Sequence, residues 1–162
     1  MRLRLATAAD EPLLRAVYAS TRAEELAATG WSDENKAAFC DQQFTAQDAH
    51  YRAHYPMAEF LVVEFAGTPA GRLYVARWAR EIRIMDIVML PGFRRRGIGT
   101  QLLRELQEEA QTACKALSIH VEKFNPARRL YARLGFREIE DKGVYLLMEW
   151  RGSADCGVRS AG

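Results

Sequence analysis

The residues best suited to binding chemistry lie in one run, Arg94-Arg95-Arg96-Gly97-Ile98-Gly99-Thr100. Three guanidinium groups offer forked donors that match phosphate oxygens. Glycines at 97 and 99 let a ligand reach the backbone with no Cβ in the way. Before the run stand Ile82, Ile84, Ile87, Val88, Met89 and Leu90, closed by Pro91-Gly92; after it, apolar residues recur at Ile98, Leu102, Leu103, Leu106, Ala110 and Ala113. The first stretch reads as a strand and the second as an amphipathic helix with Arg104, Glu105, Glu108 and Glu109 turned outward. The basic turn is then a helix N-terminus, where unpaired N–H groups and the macrodipole favour an anion. By itself it reads equally well as a solvated basic turn. A Walker-type phosphate loop is excluded because no Gly-Lys-Ser/Thr closes the run, and the G-x-G-x-x-G pattern fails at Leu102.

Titratable side chains on the apolar runs before the basic turn and after its helix are Glu81, Asp86, His120 and Glu122. Glu81 shares strand parity with Arg83 and Met85, whereas Asp86 falls on the other face. His50 and His54 have helical i, i+4 spacing, but two histidines without a third placed ligand do not make a metal site, and none is expected. Cys40, Cys114 and Cys156 are widely spaced and odd in number, so each reads as a free thiol rather than part of a disulfide framework or zinc site. Neither a Ser/His/Asp nor a Cys/His pattern is present to supply a covalent nucleophile.

The elements that must position these groups follow from periodicity and punctuation. Arg2 to Ala6 alternates as a strand, and Thr7 with Asp10 caps a helix whose apolar face is Leu13, Leu14, Val17 and Tyr18. Ser32 caps a second helix through Phe39. Thr45 with Asp48 is expected to cap a third, stopped by Pro56. Glu59 to Ala66 and Gly71 to Ala79 form a hairpin around Gly67-Thr68-Pro69-Ala70. After the helix from Ile98, Leu117 to Glu122 is a strand. Asn125-Pro126 caps and begins a further helix ended by Gly135, and Arg137 to Glu140 pairs with Val144 to Trp150 around Asp141-Lys142-Gly143. Residues 1–150 are expected to form one domain and 151–162 a disordered tail.

A net charge of +2 argues against a nucleic-acid partner, since the basic residues gather locally at 94 to 96 and at 128, 129 and 133. The early charges Arg2, Arg4, Asp10 and Glu11, with no long apolar run, point away from a leader or a membrane span and toward the cytoplasm.

Two motifs together resemble the GNAT superfamily of N-acetyltransferases. One is Val88-Met89-Leu90-Pro91 followed by R-x-x-G-x-G as Arg94 to Gly99 and a leucine-rich helix. The other is Ser118-Ile119-His120-Val121-Glu122, then Asn125-Pro126-Ala127, then Leu130-Tyr131-Ala132-Arg133-Leu134-Gly135-Phe136, which matches the family's L-Y-x-x-x-G-F signature. The resemblance covers residues 2–150. It implies an α/β GNAT-like (acyl-CoA N-acyltransferase) fold: a mixed, twisted central sheet of about six or seven strands with helices on both faces. The implied activity is transfer of acetyl from acetyl-CoA to a primary amine of a small molecule or peptide, by direct attack in a ternary complex.

The resemblance also implies site residues. Backbone groups of Ile87, Val88 and Met89 would bind the pantothenate arm. Arg94, Arg95, Arg96, Gly97, Ile98 and Gly99 would cradle the pyrophosphate with Thr100 close by, and Tyr131 would protonate the departing thiolate. Glu81 ranks first among the candidate bases. Asn125 stands six residues before the tyrosine where many relatives place an asparagine seven before, and Phe124 takes that seventh place; a cofactor contact and a helix cap both account for Asn125. Some of Trp31, Phe39, Phe44, Tyr51 and Tyr55 are expected to wall the acceptor site. A non-catalytic acyl-CoA-binding module is the alternative, and monomer and homodimer are both compatible.

Overall fold

The apolar runs of the sequence become strands of a seven-stranded mixed sheet in the computed structural model of the chain, which describes residues 1–153. Most of the expected tail, with Cys156, lies outside the described residues. The elements run β1 (Arg2–Leu5), α1 (Glu11–Ala27), α2 (Asp33–His54), β2 (Glu59–Phe65), β3 (Thr68–Arg77), β4 (Glu81–Met89), α3 (Ile98–Ala113), β5 (Ala116–Glu122), α4 (Arg128–Arg133), β6 (Arg137–Asp141) and β7 (Tyr145–Trp150). The sheet order is β1-β2-β3-β4-β5-β7-β6. β4 and β5 are parallel, as a strand, helix, strand crossover requires, while β1 with β2, β5 with β7 and β6 with β7 are antiparallel. The described backbone divides into two compact units: Met1–Tyr74 with Ile87–Arg96, and Val75–Asp86 with the described residues from Gly97 onward.

In the first unit Leu14, Tyr18 and Leu26 of α1 pack with Cys40 and Phe44 of α2. α2 is one helix rather than two. Ser32 caps it by accepting from the Asn35 N–H at 3.1 Å, as its residue type suggests. Thr45, expected to start a new helix, instead turns its hydroxyl back to the Asp41 carbonyl at 2.9 Å, which leaves the helix unbroken until Pro56 approaches. The hairpin turn is also shorter than expected. Ala66 (φ 52°) and Gly67 (φ 80°) carry the reversal, and Thr68, Pro69 and Ala70 already belong to β3.

The aromatic segment divides between core and surface. Phe44 meets Tyr18 edge-on at 6.3 Å and is 4% exposed, so it belongs to the core. Trp31 is 44% exposed against Phe39, and Tyr51 packs between Tyr55 and Tyr74. The His50 and His54 rings stack at 4.2 Å.

A polar knot ties the chain entry to this unit. Asp10 accepts from the Arg4 guanidinium at 2.8 and 2.9 Å and from the Thr7 N–H at 2.7 Å, while Arg4 also reaches Glu64 at 3.3 Å. Gly71 of β3 allows a second close approach: a Cβ there would lie 2.2 Å from the Val88 carbonyl oxygen and 2.9 Å from the Met89 Cα. Only glycine lets β3 lie this close to the end of β4.

In the second unit α3 packs on β5. Leu102, Leu103, Leu106 and Ala110 are buried, as are Ile82, Ile84, Leu117, Ile119 and Val121 of the strands. Each large apolar side chain among them contributes roughly 1.5–3 kcal/mol of transfer free energy. Gln107 donates to the Leu134 carbonyl at 2.8 Å and so ties α3 to the end of α4. That short helix begins later than the sequence suggests. Asn125 accepts the Ala127 N–H at 2.9 Å on its side chain, making a turn that precedes Arg128 rather than capping the helix directly.

The hydrogen bonds from Arg4 and from the Thr7 N–H hold the Asp10 carboxyl far below the usual carboxylate range. A depressed folded pKa gives stability that is complete above the unfolded value of about 3.9 and fades as pH falls through the folded value. Asp10→Asn is therefore expected to lower the denaturant midpoint clearly at pH 7, with a gap to wild type that narrows steadily below about pH 4. A gap that stays constant from pH 7 to pH 2 in urea melts would contradict this role.

Candidate active site

The basic turn takes its shape from the backbone on either side of it. In the first unit Arg94 Nε donates to the Met89 carbonyl at 3.1 Å, the Arg96 guanidinium lies over the rings of Phe93 (5.4 Å) and Phe65 (5.9 Å), and Arg95 adopts φ 62°. The three arginines are thus unlike one another: one steadies the strand end, one rests on aromatic faces, and the third sits at a left-handed turn. Ile87, Val88 and Met89 precede them as half-buried residues at the end of β4.

In the second unit Gly97 is the N-cap of α3 at φ 77°, φ, ψ space that glycine enters without strain. No side chain caps the helix there, so its first N–H groups remain directed outward. A Cβ built on Gly97 or on Gly99 would meet nothing within 4 Å, so open space lies in front of both. Ile98 is buried and anchors the turn, while Thr100 is half-buried.

Further along the second unit, the β4–β5 register runs from Glu81↔Ala116 to Ile84↔Ile119. Both strands continue past that point, β4 to Met89 and β5 to Glu122, with β5 pairing on to β7 as far as Glu122↔Tyr145. The two parallel strands therefore part after Ile84 and Ile119.

Tyr131 lies on α4, 5% exposed, with its ring 5.9 Å from that of Phe136. Burial raises its pKa, and the charge of Asp86 raises it further. Such a phenol stays protonated through the neutral range, the state a proton donor needs before reaction. Periodicity does not bring Tyr131 and Asp86 together; the folded chain does.

The opposite strand face carries a polar network whose members appear in the sequence only as alternating polar residues. The Arg83 guanidinium donates to Glu81 Oε2 at 2.6 and 3.0 Å and to Ser118 Oγ at 2.7 Å, Ser118 donates to the same Glu81 oxygen at 2.5 Å, and Arg83 Nη1 lies 3.2 Å from His120 Nδ1. The Arg83 guanidinium also sits over the Trp78 ring at 5.2 Å. Burial works to raise the Glu81 pKa, but the hydrogen bonds from Ser118 and Arg83 outweigh it, and the net shift is downward. A carboxylate oxygen that is already so fully engaged, with a lowered pKa, is a weak proton acceptor. In this geometry Glu81 anchors Arg83. Strand parity predicts which face Glu81 occupies, but not the partners it finds there.

Asn125 is exposed on the β5–α4 loop, its Oδ1 engaged with the Ala127 N–H, beside Phe124 at 96% exposure. Cys40 is a buried free thiol and Cys114 an exposed one. Among the described residues no group of three or more His, Cys, Asp or Glu side chains is placed to hold a metal ion, and no helix is long and apolar enough to cross a membrane.

Comparisons with known proteins agree on one architecture. The PaiA N-acetyltransferase of Thermoplasma acidophilum, solved in complex with coenzyme A, superposes with a TM-score of 0.71 at 16% identity, covering 93% of this chain and 98% of its own. An acetyltransferase of Thermus thermophilus gives 0.67 at 19% identity over 94% and 98% of the two chains. YncA of Salmonella typhimurium, solved with its cofactor acetyl-CoA, gives 0.58 at 21% identity over 93% of each. At these identities the likeness shows the fold. No curated protein sequence matches the chain. The sequence profile of the acetyltransferase (GNAT) family matches residues 14–136, which takes in the basic glycine turn, the parting strands and Tyr131. The chain belongs to the GNAT acetyltransferase family.

Proposed function

We propose that the protein transfers an acetyl group from acetyl-CoA to a primary amine of a small molecule or peptide, by direct attack within a ternary complex. The observation that carries this reading is the parting of β4 and β5 after Ile84 and Ile119 in a chain of the GNAT family. A strand edge past its last parallel partner suits an amide-bearing arm, which can pair with backbone as an added strand does. Ile87, Val88 and Met89 are the residues assigned to that arm, through their backbone groups. Arg94, Arg95, Arg96, Gly97, Ile98, Gly99 and Thr100 are assigned to the pyrophosphate. The open space before Gly97 and Gly99 and the uncapped first turn of α3 fit such a ligand. The bound thioester supplies the activated acetyl group. Two solved members of the same fold were obtained with coenzyme A or acetyl-CoA, which supports the assignment.

Tyr131 is assigned as the acid that gives its phenolic proton to the departing sulfur. Its raised pKa keeps that proton in place until the sulfur takes it. The amine's own proton is assigned to solvent water, because the lowered pKa of Glu81 and its bonds to Arg83 and Ser118 leave little basicity there. Glu81 is assigned instead to holding Arg83. Asn125 is assigned to the cofactor's edge as a loop residue, its side chain shaping the turn before α4.

Mass spectrometry of acetylated products from acetyl-CoA and a panel of amines and peptides tests the reading. Transfer to at least one amine is expected; coenzyme A binding without transfer to any would favour a binding module. Within that assay Tyr131→Phe is expected to bind coenzyme A as wild type does and to lose roughly 10²-fold or more in the chemical step. Full turnover by the folded variant, measured where chemistry limits the rate, would remove Tyr131 from the mechanism.

The turn has its own test. Gly99→Val adds its side chain into open space and leaves the free protein folded, yet it should weaken coenzyme A binding by about tenfold or more, beyond the effect of replacing any single arginine by alanine. Calorimetry that finds unchanged affinity would move the phosphate site elsewhere.

A further inference from the structure

One polar atom in the second unit is left over by the network around Arg83. His120 Nδ1 faces Arg83 Nη1 at 3.2 Å. A guanidinium can only donate, so Nδ1 must be the acceptor and the proton of the neutral ring must sit on Nε2. That Nε2 is buried and meets no hydrogen-bond partner. Burial first, then the charges of Arg83 and Lys142, push the His120 pKa down, against the opposing pull of Glu81 and Glu140. The ring is therefore neutral near pH 7, with its Nδ1 lone pair engaged and an N–H left to give. It is unsuited to accept a proton at either nitrogen.

Its position sets what that N–H can serve. The register pairs Arg83 with Ser118, so His120 is the next residue of β5 on the same face and the first beyond the parting of the strands. Ile82, Ile84, Leu117, Ile119 and Val121 fill the opposite face, which α3 covers, and Asp86, whose charge reaches Tyr131, shares that face by strand parity. If Tyr131 attends the leaving sulfur, the attacking nitrogen must come from another direction, and the His120 face is the other side of the sheet. This face includes Glu81 and Arg83 from β4, Ser118 and Glu122 from β5, and Tyr145, Leu147 and Glu149 opposite them on β7.

The geometry points to His120 Nε2–H as a specificity-determining donor that selects acceptor amines bearing a carbonyl or carboxylate oxygen beside the reacting nitrogen. This rests on the acetyl-transfer reading. An N–H donor backed by a guanidinium favours an oxygen with negative or partly negative charge. A buried N–H without a partner costs free energy that such an oxygen would recover on binding. Because Nε2 is closed off from solvent, the oxygen must enter with local side-chain movement. Met85, the next residue of β4 on that face, is half-buried and unbranched, the kind of side chain that yields.

The test compares glycinamide, which carries the oxygen, with propylamine, which lacks it, as kcat/KM on the unprotonated amine. Wild type is expected to prefer glycinamide by about tenfold, the worth of one hydrogen bond. His120→Leu should erase that preference by raising KM for glycinamide more than for propylamine, and His120→Gln, which restores an N–H near the Nε2 position, should keep it. Equal losses on both amines in His120→Leu, or a wild type indifferent to the oxygen, would overturn the inference while leaving acetyl transfer standing. A wild type that acetylates no amine would overturn both. Nitrogen-15 NMR of the wild-type ring reads the tautomer independently of activity: a neutral Nε2–H form is expected at pH 7, and an Nδ1–H form or an imidazolium there would also overturn it.

Discussion

The parallel pairing of β4 with β5 stops after Ile84 and Ile119, and the chemistry assigned to this protein depends on that ending. Backbone N–H and C=O groups need partners, so the edges that two parting parallel strands turn toward each other call for another partner. On its other edge β5 pairs with β7 as far as Glu122. β4 keeps its hairpin with β3, where the Trp78 N–H bonds to the Glu81 carbonyl at one end and the Leu90 N–H to the Ala70 carbonyl at the other, both at 2.8 Å. Near that second end Gly71 lets the β3 backbone lie against Val88 and Met89. Past the parting, Asp86 lies on the strand face from which its charge reaches Tyr131, and Arg83 and His120 lie on the other.

These two faces are built on different physics. Tyr131 sits in an apolar setting where burial and the Asp86 charge both disfavour its anion, so its proton is retained. The Arg83 network is polar and nearly saturated. Glu81, Ser118 and His120 all accept from one guanidinium, which puts the proton of the neutral His120 ring on Nε2. Partly buried networks of this kind are costly when incomplete, which makes the leftover Nε2 a meaningful exception.

Much of this is legible in the sequence because the signals are local. The glycine at 97 marks a left-handed N-cap, Ser32 marks a helix start, and the apolar spacing from Ile98 to Ala113 gives α3. Expectation and structure differ where a local signal competes with a nonlocal one. Thr45 has the residue type of a cap, yet Phe44 is drawn into the α1 core and carries the helix straight through. Ala66 gives no warning in its residue type that it will take a positive φ in the tight turn between β2 and β3. Parity correctly places Glu81 with Arg83, but the arrival of Ser118 and His120 depends on β5 returning parallel to β4, a fact of topology. The exposure of Tyr131 to the field of Asp86 is equally nonlocal.

The most direct measurement of the central claim is amide hydrogen exchange with and without coenzyme A. Slowed exchange is predicted chiefly at Ile87–Met89, the end of β4, and at Gly97–Thr100, the start of α3, because the ligand would take up backbone groups at both places. Protection that leaves both segments unchanged while binding is saturated would contradict it.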